Sequence, residues 1–337
     1  SGILLSRHTH LADAVTGADL ILCQVRIGGM RERAGDETLP LEFGIPGDEG
    51  LGPSGLASFL RARPIIRHLA SRCHELAPSA RFLMMSSPLG LLTAVATEAF
   101  GAHCYGVCEL PMVTASRVVD AVRRSAGLAI EEVLYYGLNH QGWLHAFRDA
   151  NGTDRTAEVL TALDAERLLG IDSEIVRREG AVPLPYLRYY YHTEREARRQ
   201  LARSETRGAA LEHWVVAVHR ALAGEEGPDH GRAAQLISRR DMRWYAEGVV
   251  PIIAAMLGGE ACTLPLNKPD VAGGAFPRHI VERPYRIAGW ELGELSVPPL
   301  PPSPLRLMQG LVNFEAAALA LPDSPAPQLI AAVLREH

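Results

Sequence analysis

Three short apolar runs constrain this chain more than any other feature in it. Each ends in polar groups, and a helical stretch separates each from the next. Residues 19–25 centre on Leu20-Ile21-Leu22-Cys23 and exit into Val25-Arg26-Ile27-Gly28-Gly29-Met30. Residues 81–85 exit into Ser86-Ser87-Pro88-Leu89-Gly90, and residues 103–107 exit into Cys108-Glu109-Leu110-Pro111. Runs this short and continuously apolar read as strands buried on both faces, the pattern of a parallel sheet. Between them, Leu56, Phe59, Leu60, Ile65, Ile66 and Leu69 recur at helical spacing over 56–76, and 91–100 predicts a second helix. The rhythm predicts an α/β fold whose parallel strands place their polar exits at the carboxyl edge, where open α/β sheets take ligands.

After about residue 112 the pattern changes. A helix is expected over 114–126, a strand over 132–138, then a long helical region to about 260 and a final helix over 305–321. This divides the chain at residue 112. Residues 1–112 read as a partial nucleotide-binding domain, and 113–337 as a mixed α+β, largely helical substrate and metal domain. The Gly-, Pro- and charge-rich stretch 31–55 reads as loop. The charged stretch 193–208 reads as a solvated helix face, and the Pro-rich stretch 296–305 as a surface connection.

The 337 residues are enough for a sizeable core. A net charge of -5 without a long basic run argues against nucleic acid as a partner. Five cysteines, few and odd in number, fit a reducing cytoplasm better than a disulfide framework. No apolar stretch reaches membrane-spanning length, and the start has no signal-peptide layout. Two short segments carry chemistry: Gly106-Val107-Cys108-Glu109, and Gly137-Leu138-Asn139-His140. A thiolate and an imidazole at two strand ends make half of a divalent metal site, with positions left open for substrate oxygens. No Gly-x-Gly-x-x-Gly joins a strand to a helix here, so the usual pyrophosphate cradle is missing from the pattern.

These motifs, with Arg33-Ala34-Gly35-Asp36-Glu37, Pro40-Leu41, the stretch from Gly44 to Gly55, and the stretch from Arg240 to Glu247, resemble glycoside hydrolase family 4. The 6-phospho-β-glucosidases of that family are the nearest in look, and the match runs in order over about 15–321. The resemblance implies a Rossmann-like fold of the lactate dehydrogenase type, here expected to lack its N-terminal Gly-rich nucleotide-binding unit. It implies NAD and a divalent metal such as Mn2+ as cofactors. It also implies a sugar or sugar phosphate as substrate, a cytoplasmic location, and a homodimer or homotetramer. The implied chemistry is oxidation at C3, proton abstraction at C2 and elimination at C1, an exception to the two-carboxylate logic of most glycosidases.

The resemblance implies roles residue by residue. Cys108 and His140 match the metal ligands. Tyr245 matches the base, and a phenol works as a base only where a nearby cation, such as the metal or Arg243, lowers its pKa. Glu109 falls where relatives carry Asp or Asn and could protonate the leaving oxygen. Arg26, Ser87, Asn139 and Glu49 match substrate-contacting positions. Departures are visible: Ser87-Pro88 stands where the family has Asn-Pro. Asn267-Lys268-Pro269-Asp270 replaces a segment that carries an arginine, which is lost unless Lys268 stands in. Two rival readings follow. One is a degenerate relative that binds sugar or assembles with a partner without turnover; the other is a simple NAD-dependent dehydrogenase.

Overall fold

A computed structural model of the chain describes residues 4–224, 227–239, 245–272 and 274–336. Its strands are β1 (Leu20–Cys23), β2 (Arg81–Met84), β3 (Cys104–Gly106), β4 (Glu132–Leu138), β5 (Gln141–Arg148), β6 (Val182–Pro183), β7 (Cys262–Pro269), β8 (Ile280–Ala288) and β9 (Glu291–Glu294). They form one sheet in the order β1-β2-β3-β7-β8-β4-β5-β6, with β9 added to β8. β1, β2 and β3 are parallel, as expected, and every later pairing is antiparallel.

The helices of the first third are α1 (Leu11–Val15), α2 (Gly29–Thr38), α3 (Gly52–Leu76), α4 (Leu89–Phe100) and α5 (Leu110–Ala126). α3 buries Leu56, Phe59, Ala62, Ile66, Ala70 and Cys73 at three- and four-residue spacing. Phe59 and Ile66 join Phe82, Met84 and Leu92 in one core, while Leu83 points into another with Tyr105, Leu266, Tyr285 and Ile287. β2 is therefore buried on both faces, and each such side chain contributes about 1.5–3 kcal/mol. A third core surrounds Trp143, Leu144 and Phe147 of β5.

Four expectations need correction. The stretch 31–55 is not all loop: α2 and a 3-10 turn at Leu39–Phe43 occupy its first part. Arg33 and Glu37 of α2 are both about 4% exposed and form an ion pair at 2.7 Å. Glu37 also accepts from the Gly208 amide at 2.7 Å, so charge marks a packed helix here rather than a solvated loop. The region before 260 includes β5 and β6 as well as helices, and β7 to β9 follow it. The Thr193–Leu201 helix is charged and mostly exposed, yet Glu196 is buried among Arg188, Arg195 and Arg199. The helix Pro302–Ala320 places Phe314 in the core of α3 and α4, but it is not the final helix as expected: Pro327–Leu334 follows and adds Val333 to the same core.

Candidate active site

The carboxyl ends of β1, β2 and β3 converge on the turn between β4 and β5. Loop residues after each strand supply the side chains singled out above. Arg26 follows β1, Ser87 follows β2, and Cys108 and Glu109 follow β3. Glu109 also sits at the start of α5. The first strand is tied to the second where the Val25 amide donates to Ser86 Oγ at 2.9 Å. Arg26, Glu49, Ser86 and Ser87 line one pocket with Arg33, Asp36 and Arg61.

Asn139 and His140 form a tight turn, since Leu138 already pairs with Gln141. His140 takes a left-handed backbone at φ 64, uncommon for a residue with a side chain. Its ring stacks on Tyr186 with centroids 4.5 Å apart and planes within 5°. His140 Nδ1 is buried and has no hydrogen-bond partner among the described residues. A Cβ added at Gly50 would lie 3.0 Å from Ser87 Oγ and 3.8 Å from His140 Nδ1, so these groups share one small space.

Electrostatics divide the site into two groups. In the first, burial pushes His140 down to about 4, with Arg207 adding to the effect and Glu49 opposing it. Burial would raise Glu49, but Arg33 and Arg26 outweigh it and hold its carboxyl below the usual range. Arg26 Nη1 bonds to Glu49 Oε2, and Arg33 Nη1 reaches Oε1 at 2.8 Å. Asp48 beside them is raised to about 7 by burial and by Glu49. In the second group, burial and then Glu282 and Glu109 push the Cys108 thiol well above its ordinary value. Cys108 Sγ lies 3.8 Å from Glu109 Oε2, and the Asn139 side chain partly offsets the rise in the thiol's pKa. The peptide bond between Asn139 and His140 joins the two groups.

Tyr245 opens a π-helical turn, Tyr245–Val249, whose Gly248 would bring a Cβ within 3.5 Å of Glu109 Cβ. Gln24 Nε2 donates to Tyr245 Oη. The rest of the expected motif, Arg240 to Trp244 with Arg243, lies outside the described residues. Lys268 does not face this cluster: its ammonium sits 5.2 Å from the ring centres of both Tyr105 and Tyr285.

Glu282 escaped the sequence reading. It is 1% exposed, and its carboxyl is raised to about 8 by burial against the lowering effect of Asn267 and Asn139. Its only signal in the sequence was weak: an acidic residue after Ile280-Val281, next to Arg283.

No group of three or more His, Cys, Asp or Glu side chains among the described residues is gathered so as to hold a metal on its own. A two-ligand set is nonetheless consistent with the chemistry present. A neutral imidazole with an unused nitrogen is a ready donor. A thiol crowded by two carboxyl groups lacks the positive charge that a divalent ion would bring.

This arrangement is that of a site built at the carboxyl edge of a Rossmann-like sheet. The model of the family 4 glycosyl hydrolases matches residues 2–124, and that of the family's C-terminal domain matches 135–320; the chain belongs to this family. The match begins at residue 2, so the expected loss of an N-terminal unit is not borne out. A probable 6-phospho-beta-glucosidase of Bacillus subtilis is 26% identical over 263 residues, covering 75% of this chain and 59% of that protein. A 6-phospho-alpha-glucosidase of Lacticaseibacillus paracasei is 33% identical over 147 residues, covering 42% of this chain and 32% of its own length. The chain thus spans between about a third and three-fifths of these relatives. In fold, it superposes on a 6-phospho-beta-glucosidase of Thermotoga maritima, solved with manganese, NAD+ and glucose-6-phosphate. The TM-score is 0.82 at 18% identity, covering 98% of this chain and 78% of that one. No described helix is long and apolar enough to cross a membrane.

Proposed function

We propose that this chain cleaves glycosides, 6-phosphorylated ones in the first place, by the redox elimination of its family, with NAD+ and Mn2+ as cofactors. One observation carries the reading: His140 offers a buried, neutral nitrogen, unpartnered among the described residues, from a strained turn and in the same small space as Ser87, with Glu49 close enough to act on it. Non-glycine residues held at positive φ concentrate at functional sites, and the cost is of order 1–3 kcal/mol. When bound, NAD+ would supply hydride transfer and a divalent metal would supply Lewis acidity to the sugar hydroxyls.

The chain's own residues do the rest. Cys108 and His140 would hold the metal. Arg26, Ser87, Asn139 and Glu49 grip sugar hydroxyls, with Arg26 kept in place by its pairing with Glu49. Tyr245, whose phenolic oxygen is fixed by Gln24, takes the C2 proton. Glu109 delivers a proton to the leaving oxygen. On this reading, residues 1–112 form the nucleotide side and 113–337 the substrate and metal side. The protein works in the cytoplasm as a homodimer or homotetramer.

The test offers aryl 6-phospho-α- and β-glucosides to the reduced protein with NAD+ and Mn2+. Phenol release that requires both cofactors, with deuterium entering C2 of the product in heavy water, supports the reading. No release, or release indifferent to NAD+, overturns it. Sugar and metal binding without release would favour the non-catalytic relative.

A further inference from the structure

Four residues distant in sequence meet in one row across the sheet. Gly106 of β3 pairs with Asn267 of β7, Asn267 with Glu282 of β8, and Glu282 with Gly137 of β4. Main-chain pairing is thin at two of these seams: Gly106 with Asn267 is the one residue pair joining β3 to β7, and Gly137 with Glu282 the one joining β4 to β8. Side chains reinforce both seams. Asn267 Nδ2 donates to Glu282 Oε1 at 2.7 Å and reaches the Gly106 carbonyl at 3.5 Å. Asn139 Nδ2 donates to the same Oε1 at 3.2 Å. A single carboxyl oxygen therefore links the end of β3, the middle of β7 and the tip of the β4–β5 hairpin.

We propose that Glu282 is a positioning residue: by holding the amides of Asn139 and Asn267, it sets the Asn139–His140 turn against the strand end that carries Cys108. The hairpin ladder fixes Leu138 to Gln141 but does not tie the tip to β3. Hairpin tips open locally at low cost, and His140 adds backbone strain to this one. Two hydrogen bonds to one acceptor, each worth about 0.5–1.5 kcal/mol, suffice to hold such a tip closed. The role needs an acceptor at Oε1 rather than a negative charge. A glutamine keeps that acceptor and an alanine removes it. The consequence for metal rests on the reading of Cys108 and His140 given above; the placement of the turn does not.

The experiment compares the full chain as wild type, Glu282→Gln and Glu282→Ala. Hydrogen exchange of the 137–142 peptide is read in the metal-free protein, and Mn2+ affinity is read by calorimetry. In Glu282→Ala the turn amides should exchange roughly tenfold faster, and Mn2+ should bind about 10–100-fold more weakly. Glu282→Gln should restore both. Unchanged exchange in Glu282→Ala overturns the proposal, as does a glutamine variant as impaired as the alanine. A wild type that binds no Mn2+ sinks the metal reading alone, and exchange still decides the positioning. Should Glu282→Ala fail to fold, Asn139→Ala removes the same bond, and wild-type exchange there is equally fatal.

Discussion

Glu282→Gln in the metal-free protein should stabilise the fold, and by an amount that grows with pH. Glu282 has an ordinary carboxyl value of 4.5 and a folded value of about 8, raised by burial and little relieved by its two amide donors. Between those values the unfolded chain has released this proton while the folded chain keeps it. The folded state binds the proton more tightly, so this residue costs stability as pH rises from 4.5 toward 8 and costs no more beyond that. At about 1.36 kcal/mol per pH unit, the interval from 4.5 to about 8 amounts to roughly 5 kcal/mol at the plateau. At pH 7 the figure is roughly 3 kcal/mol, since the folded carboxyl still holds its proton there. Glutamine has the shape of the protonated acid, keeps the acceptor used by Asn139 and Asn267, and does not titrate. Urea unfolding of both proteins in chelator, at steps from pH 5 to pH 9 (about two units either side of neutral), isolates this residue, because every other titrating group is common to both. The gap between the variants should widen up to about pH 8 and then stay level. A gap that does not change with pH would mean that Glu282 is ionised in the folded protein, and the account of its burial would be wrong.

Cys108→Ser should leave the metal-free unfolding midpoint nearly unchanged, since the two side chains differ little in size, while calorimetry shows Mn2+ affinity reduced by about tenfold or more. Equal affinity removes Cys108 from the ligand pair. Gly106→Ala places a Cβ 2.5 Å from Thr93 Oγ1 and 2.8 Å from Asn267 Cβ, so it should destabilise by about 1–3 kcal/mol in urea. A wild-type midpoint would show that β7 gives way freely. Tyr245→Phe should lower kcat by about 100-fold or more while Mn2+ and sugar still bind, as loss of a general base requires. A wild-type rate would clear Tyr245 of that role.

Much of the first half was legible in the sequence because parallel strands announce themselves. Arg81–Met84 and Cys104–Gly106 are short and largely apolar because each is covered on both faces, whereas Leu20–Cys23, at the sheet edge, is equally apolar but leaves Leu22 exposed. The residues that follow them had nowhere to go but the carboxyl edge. The helix Gly29–Thr38 was hidden for the opposite reason. Its charged residues satisfy one another: Arg33 pairs with both Glu37 and Glu49 in the interior, and periodicity of apolar side chains cannot report such a face. β7 and β8 were missed because antiparallel strands largely buried on both faces, broken by Pro265, Pro269 and Pro284, carry neither clean alternation nor a continuous apolar run, and β9 because it is short, charged and exposed.

Cys108 and His140 were each readable in their own segments, yet what places those segments was not, because it depends on residues from four strands. Gly106, Asn267, Glu282 and Gly137 meet only through antiparallel register, and register is set by tertiary pairing that a single strand does not encode. The same row explains why so much buried polarity is tolerated at one edge. Asp270 in the same sheet shows the ordinary solution: Tyr136 donates to it at 2.6 Å, the amides of Val271 and Phe276 bond it, and Arg283 lies 3.6 Å away. Glu282 Oε2, Asn267 Oδ1 and His140 Nδ1 have no partner among the described residues. Most buried polar groups in folded proteins are matched, and other buried atoms of this chain, Thr97 Oγ1 and Arg81 Nε among them, also lack a partner among the described residues. What sets Glu282 Oε2 and Asn267 Oδ1 apart is their place in the row that ends at Gly137, two residues before the Asn139–His140 turn, so an open acceptor there lies next to the proposed site rather than elsewhere in the core.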